Sequence, residues 1–113
     1  MSNKIKSYGK LSKEEFDALK KDHKDIFTLS VFFEEENGDV VELYAYLKKP
    51  DRSTISLALA NIDRDPLRAK EILLAKSWLK GDERIKTNDD AFLSAASVLD
   101  GLLTVRSASL KKN

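Results

Sequence analysis

Asn37-Gly38 stands between two stretches of alternating apolar and polar residues, and that arrangement leaves few folds open to the chain. Phe27, Leu29, Val31 and Phe33 alternate with Thr28, Ser30 and Phe32, and Val41, Leu43, Ala45 and Leu47 alternate with Glu42, Tyr44 and Tyr46. A period of two with β-branched and aromatic side chains marks strands, and Asn-Gly between them marks a hairpin. The register follows from burial. A two-residue loop would set Phe33 opposite Glu42 and Val31 opposite Tyr44. A three-residue loop, Glu36-Asn37-Gly38, sets Phe33 opposite Val41, Val31 opposite Leu43 and Leu29 opposite Ala45. Only the second puts the apolar sets of both strands on one face, because a slip of one residue turns every side chain over. It also puts Gly38 where a type I turn with a G1 bulge needs a left-handed residue.

The second face of the hairpin carries Phe32, Tyr44 and Tyr46 beside Thr28, Ser30 and Glu42. Two strands alone are marginal and leave both edges unpaired, so other elements or another chain must cover them. Helical spacing supplies the elements. Ser12 and Glu15 form a capping-box pair, with Leu11 and Phe16 as a hydrophobic staple, and a short helix runs to about Lys24. Asp51 caps a helix through Ile55, Ala58, Leu59 and Ile62. Asp65-Pro66 opens another that carries Leu67, Ile72, Leu73, Trp78 and Leu79, with Gly81 as its C-terminal cap. Gly81 to Lys86 reads as a charged loop. Thr87 with Asp90 signals a last cap, and the last helix is expected from about Asn88 to near Leu110, about 35 Å long. That helix has two adjoining stripes, Ala91-Ala95-Val98-Leu102-Val105 and Phe92-Ala96-Leu99-Leu103, wider than one neighbour requires. The expected architecture is α+β: an N-terminal helix, an antiparallel β-hairpin, then a C-terminal bundle of three helices. Residues 1–10 read as a flexible basic lead and 11–113 as a single domain.

Charge and composition exclude several functions. Twenty Lys+Arg face nineteen Asp+Glu, for a net charge of +1, without the basic excess of a nucleic-acid or anionic-membrane binder. The aromatic strand face resembles a base-stacking platform in composition. However, residues 25–49 hold six acids against two lysines, net −4, which repels a phosphate backbone. Cysteine is absent, so there are no disulfides, thiolate metal sites or cysteine nucleophiles. No apolar run approaches the roughly 20 residues of a membrane span, and the first ten residues lack the apolar core of a secretory signal.

Catalytic patterns are equally sparse. His23, the single histidine, sits in the last turn of an amphipathic helix, where a positive charge complements the dipole; neither a triad nor a metal site can be assembled around it. Asp82, Glu83, Asp89 and Asp90 do not match a calcium loop, and acids in a first helical turn are ordinary. The four glycines are isolated and form no phosphate loop. Ser94, Ser97, Ser107 and Ser109 fall on an expected helix and not at a nucleophile elbow. Neither a cofactor nor a metal is expected.

Several segments recur together in one known group. These are Tyr46-Leu-Lys-Lys-Pro-Asp-Arg52 after the hairpin, Asp65-Pro-Leu-Arg-Ala69, Trp78 with Gly81-Asp-Glu83, and Asp89-Asp-Ala-Phe92. Their order and spacing, from about Lys21 onward, resemble small prophage proteins of the phage tail assembly chaperone-like type. Lys24-Asp25 departs from the Gly-Lys of that pattern, and the first helix is less clearly covered. The resemblance implies a non-enzymatic virion morphogenesis factor, made in the bacterial cytoplasm, that keeps the helical, aggregation-prone tape-measure protein soluble before the tail tube polymerises. Helix-in-groove binding and self-association through the hairpin are expected. The candidate contacts are Phe32, Tyr44 and Tyr46 on the hairpin and Leu99 and Leu103 on the last helix. Two other readings stand beside it: a scaffold domain of a cellular complex, and a small metal-dependent hydrolase using Asp82, Glu83, Asp89 and Asp90.

Overall fold

The computed structural model describes residues 5–103 and 110–112. Its centre is the hairpin. Strands β2 (Ile26–Glu34) and β3 (Val40–Lys48) pair antiparallel with Phe33 opposite Val41, Val31 opposite Leu43 and Leu29 opposite Ala45. This is the register that burial demands. The turn closes with the Gly38 N–H donating to Glu35 O at 2.8 Å and the Glu35 N–H donating to Asp39 O at 2.8 Å. Gly38 has φ +90°, the conformation that made glycine necessary there.

Two further short strands share the other edge of β3. The first, β1 (Ser7–Tyr8), runs parallel to β3 with Ser7 opposite Glu42, and the Glu42 N–H donates to Lys6 O at 2.9 Å. Residues expected to form a flexible lead therefore extend the sheet. The second, β4 (Trp78–Gly81), pairs antiparallel with β3 over Leu47 to Ala45. The result is a four-stranded sheet with β3 in the middle and β2 at one edge.

Helices α1 (Lys13–Asp22), α2 (Arg52–Asn61) and α3 (Pro66–Ser77) begin at the expected caps. Ser12 and Glu15 make the reciprocal bonds of a capping box, and Asp51 and Asp65 accept from the Thr54 and Arg68 amides. A short α4 (Arg84–Thr87) follows β4, and α5 (Asp89–Ala96) is capped by Asn88, which accepts from the Ala91 amide at 3.1 Å.

The C-terminal part differs from the three-helix bundle expected: α4 stands where a charged loop was read, and Asn88 rather than Thr87 caps α5. Trp78–Gly81 is a strand and not the end of α3, because the vacant edge of β3 offers backbone partners that a helical turn would forgo. The long last helix stops at Ala96 and gives way to a 3-10 segment, Leu99–Leu103. The Lys70 ammonium donates to the Ala96 carbonyl at 2.9 Å and pairs with Asp100 at 3.1 Å, a cation fixed on the last carbonyl of α5, where the dipole favours one. The tighter turn brings Leu99 and Leu102 inward and turns Val98 out, 57% exposed, so the expected 4-3 stripe through Val98 breaks. Val105 lies outside the described residues.

One face of the sheet holds the core. Leu29, Val31, Val41, Leu43, Ala45 and Leu47 point into it and meet Ile72, Leu73 and Leu74 of α3, Ile85 of α4, Ala91 and Ala95 of α5, and Leu99 and Leu102. The opposite face carries Ile26, Thr28, Ser30, Phe32, Glu42, Tyr44 and Tyr46, and α1 with the residues just before it packs there against the tyrosines.

Candidate binding surface

The side chains proposed from sequence as partner contacts divide into three groups. Tyr46 is 5% exposed. Its hydroxyl accepts from the Leu11 N–H at 3.2 Å, and its ring lies 5.9 Å from that of Phe16 at 54°. The N-terminal helix is thus the cover for Tyr46, which removes it from any external surface. Leu99 is 1% exposed in the core, and Leu103 packs against that core; neither shares a face with the tyrosines. Phe32 and Tyr44 remain.

Phe32 is 61% exposed. It sits opposite Glu42 on β3, and Tyr44 is opposite Ser30, so the two rings are diagonal neighbours on one face. Tyr44 is half-buried. Its hydroxyl donates to Glu42 Oε1 at 2.8 Å, and the Lys10 ammonium stands 5.4 Å from its ring centre. The bond to Glu42 raises the Tyr44 pKa above the ordinary phenol value, because ionising the phenol would lose the donor and place two anions together. The open part of this face, from Thr28 and Ser30 to Phe32, lies along β2, which is also the sheet's outer strand.

A second apolar feature was not legible in the sequence. At the start of β2, Phe27, Leu29, Leu47, Val98, Leu99 and Leu102 line a groove of about 350 Å³. Phe27 and Val98 stand at its mouth, 39% and 57% exposed. It depends on the break after α5, and the helical period predicts no such break.

The acidic group divides as well. Asp82 is held by Arg84, whose Nη2 lies 3.0 Å from Oδ2 and whose backbone N–H donates to Oδ1 at 2.9 Å. The side-chain bonds from Arg84 lower the Asp82 pKa, against the opposing effect of partial burial. Arg84 also reaches Glu35 at 3.3 Å and stacks near Tyr8 and Phe33, 5.0 and 5.5 Å from their centres. Glu83 pairs with Lys86 at 2.9 Å. Asp89 and Asp90 lie in the first turn of α5. Arg84 thus fastens α4 to β1 and the hairpin, and its partners serve that junction. Among the described residues no group of three His, Asp or Glu side chains is placed to hold a metal ion, and no helix is long and apolar enough to cross a membrane. Comparison with family models, curated proteins and solved structures finds no match to this chain.

Proposed function

We propose that this protein is a non-enzymatic binding module of the tail assembly chaperone-like type, which holds an apolar, helical segment of a tape-measure protein and associates with itself through the hairpin. The observation that carries the reading is the open aromatic side of β2, where a Phe32 ring 61% exposed adjoins Tyr44. A phenyl ring left in water on a regular strand is unfavourable by about 2 kcal/mol relative to a buried one, and a partner that covers it recovers that energy. The Phe27–Val98 groove enlarges the apolar surface on the core side of the same strand. The acidic rim at Glu34, Glu35 and Glu36 suits a partner helix with basic flanks.

The test is calorimetric titration of the chain with helical fragments of tape-measure proteins encoded by prophages. Binding is expected, and Phe32→Ser is expected to weaken it at least tenfold with an unchanged circular-dichroism spectrum. No heat with any fragment, or equal affinity for the Phe32→Ser variant, overturns the reading.

A further inference from the structure

The outer edge of β2 is unusually well suited to pair with another strand. The Glu35–Asp39 bond sets the phase of the ladder: Phe27, Leu29, Val31 and Phe33 exchange backbone bonds with β3, and Ile26, Thr28, Ser30, Phe32 and Glu34 direct theirs away from it. The phase agrees with β3, where Glu42 and Tyr44 bond outward to Lys6 and Asp82. Among the described residues no strand takes the outer edge of β2. Soluble proteins guard such edges with prolines, bulges, lysines or short strands. This strand has nine residues paired to β3 without a register shift, and it holds no proline and no lysine.

We infer that β2 pairs antiparallel with β2 of a second copy about a two-fold axis at Ser30, joining two sheets into one. The inference rests on the self-association proposed above and gives it a geometry; it does not depend on a tape-measure partner. Three observations select this occupant. Overlap of all nine residues with the outward-bonding set in phase puts Ser30 opposite the partner's Ser30, Phe32 opposite the partner's Thr28 and Glu34 opposite the partner's Ile26. Small side chains then meet at the axis, and each exposed ring gains a neighbour on its own face. Charge fixes the direction. Lys24, Lys48 and Lys49 stand at one end of the hairpin ladder and Glu34, Glu35 and Glu36 at the other. Antiparallel pairing brings opposite ends together, whereas parallel pairing would set acids on acids. The opposing Asp25 and the partner's Glu35 are relieved by Arg84, which already pairs with Glu35 in its own protomer.

The test combines molar mass with amide exchange. Light scattering on the purified chain is expected to give twice 12.8 kDa. Hydrogen exchange read by NMR is expected to show slow amides at Thr28, Ser30 and Phe32 as well as at the residues bonded to β3. Ser30→Lys, at an exposed position, sets two ammonium groups at the axis and is expected to halve the mass and speed the outward-directed amides, leaving those bonded to β3 slow. Ser30→Cys, in a chain with no other cysteine, is expected to form an intermolecular disulfide on mild oxidation. A monomeric wild-type chain overturns both the inference and the proposed self-association. A doubled mass with fast Thr28, Ser30 and Phe32 amides overturns this geometry alone. The wild-type exchange pattern is decisive even if Ser30→Lys does not fold.

Discussion

The Tyr46 hydroxyl accepts a hydrogen bond from the Leu11 backbone N–H across 35 positions of sequence, at 3.2 Å. This bond and the Phe16 ring contact seat α1 on the sheet face opposite the core. The helix has no buried residue of its own, and isolated helices of its length are marginal in water. Its docking therefore depends heavily on Tyr46. Tyr46→Phe keeps the ring and removes the acceptor. It is expected to lower stability by about 1 kcal/mol, read as a small fall in the urea midpoint, and to speed exchange of the α1 amides before the rest of the domain.

Gly9 and Gly38 offer a comparison between two left-handed positions. Nothing lies within 4 Å of a Cβ built on Gly38, whereas one on Gly9 would stand 2.6 Å from both the Tyr44 carbonyl oxygen and the Asp82 nitrogen. Gly38→Ala incurs conformational strain alone, about 1 kcal/mol. Gly9→Ala adds a clash with two backbone atoms where β1 and β4 meet, for about 2–4 kcal/mol in all. Thermal melts of the two variants should rank them in that order; equal losses would mean that the junction yields.

Ser77 ends α3 fully buried, and among the described residues its hydroxyl has no hydrogen-bond partner. A buried hydroxyl without a partner costs about 1–3 kcal/mol. Ser77→Ala is expected to raise the melting temperature, and a lower one would reveal a partner for the hydroxyl.

Asp82 links stability to pH. Its hydrogen bonds from Arg84 hold the folded-state pKa below the unfolded value of about 3.9. A depressed carboxylate pKa contributes stability that is fully present above the unfolded value and is lost as pH falls through the folded one. Asp82→Asn should therefore be less stable than the wild type at pH 7, and the gap should narrow as pH falls below about 4. Urea unfolding across that range measures it; a gap that does not change with pH would show that the Arg84 pair contributes packing and not charge.

Local information was strong where short-range geometry decides. The hairpin register, the Gly38 turn and the caps at Ser12, Asp51 and Asp65 all depend on residues within a few positions of one another or on the period of two, and each is legible in the sequence. The candidate surface was half readable. The aromatic face was visible as alternation, but alternation cannot say which ring a distant helix will cover, so Phe32 and Tyr46 looked alike and ended at 61% and 5% exposure.

Chain order and side-chain spacing determined that a hairpin forms, which face of it is apolar and where most helices begin, because those choices are settled by periodicity and by bonds between near neighbours. Tertiary structure decided that Ser7–Tyr8 and Trp78–Gly81 become strands, that α1 roofs Tyr46, and that Lys70 and Asp100 bracket the end of α5. The reason is physical: a vacant edge on β3 and a carbonyl within reach of Lys70 exist only once the chain has folded, and they outweigh the weak helical preference of the residues that answer them.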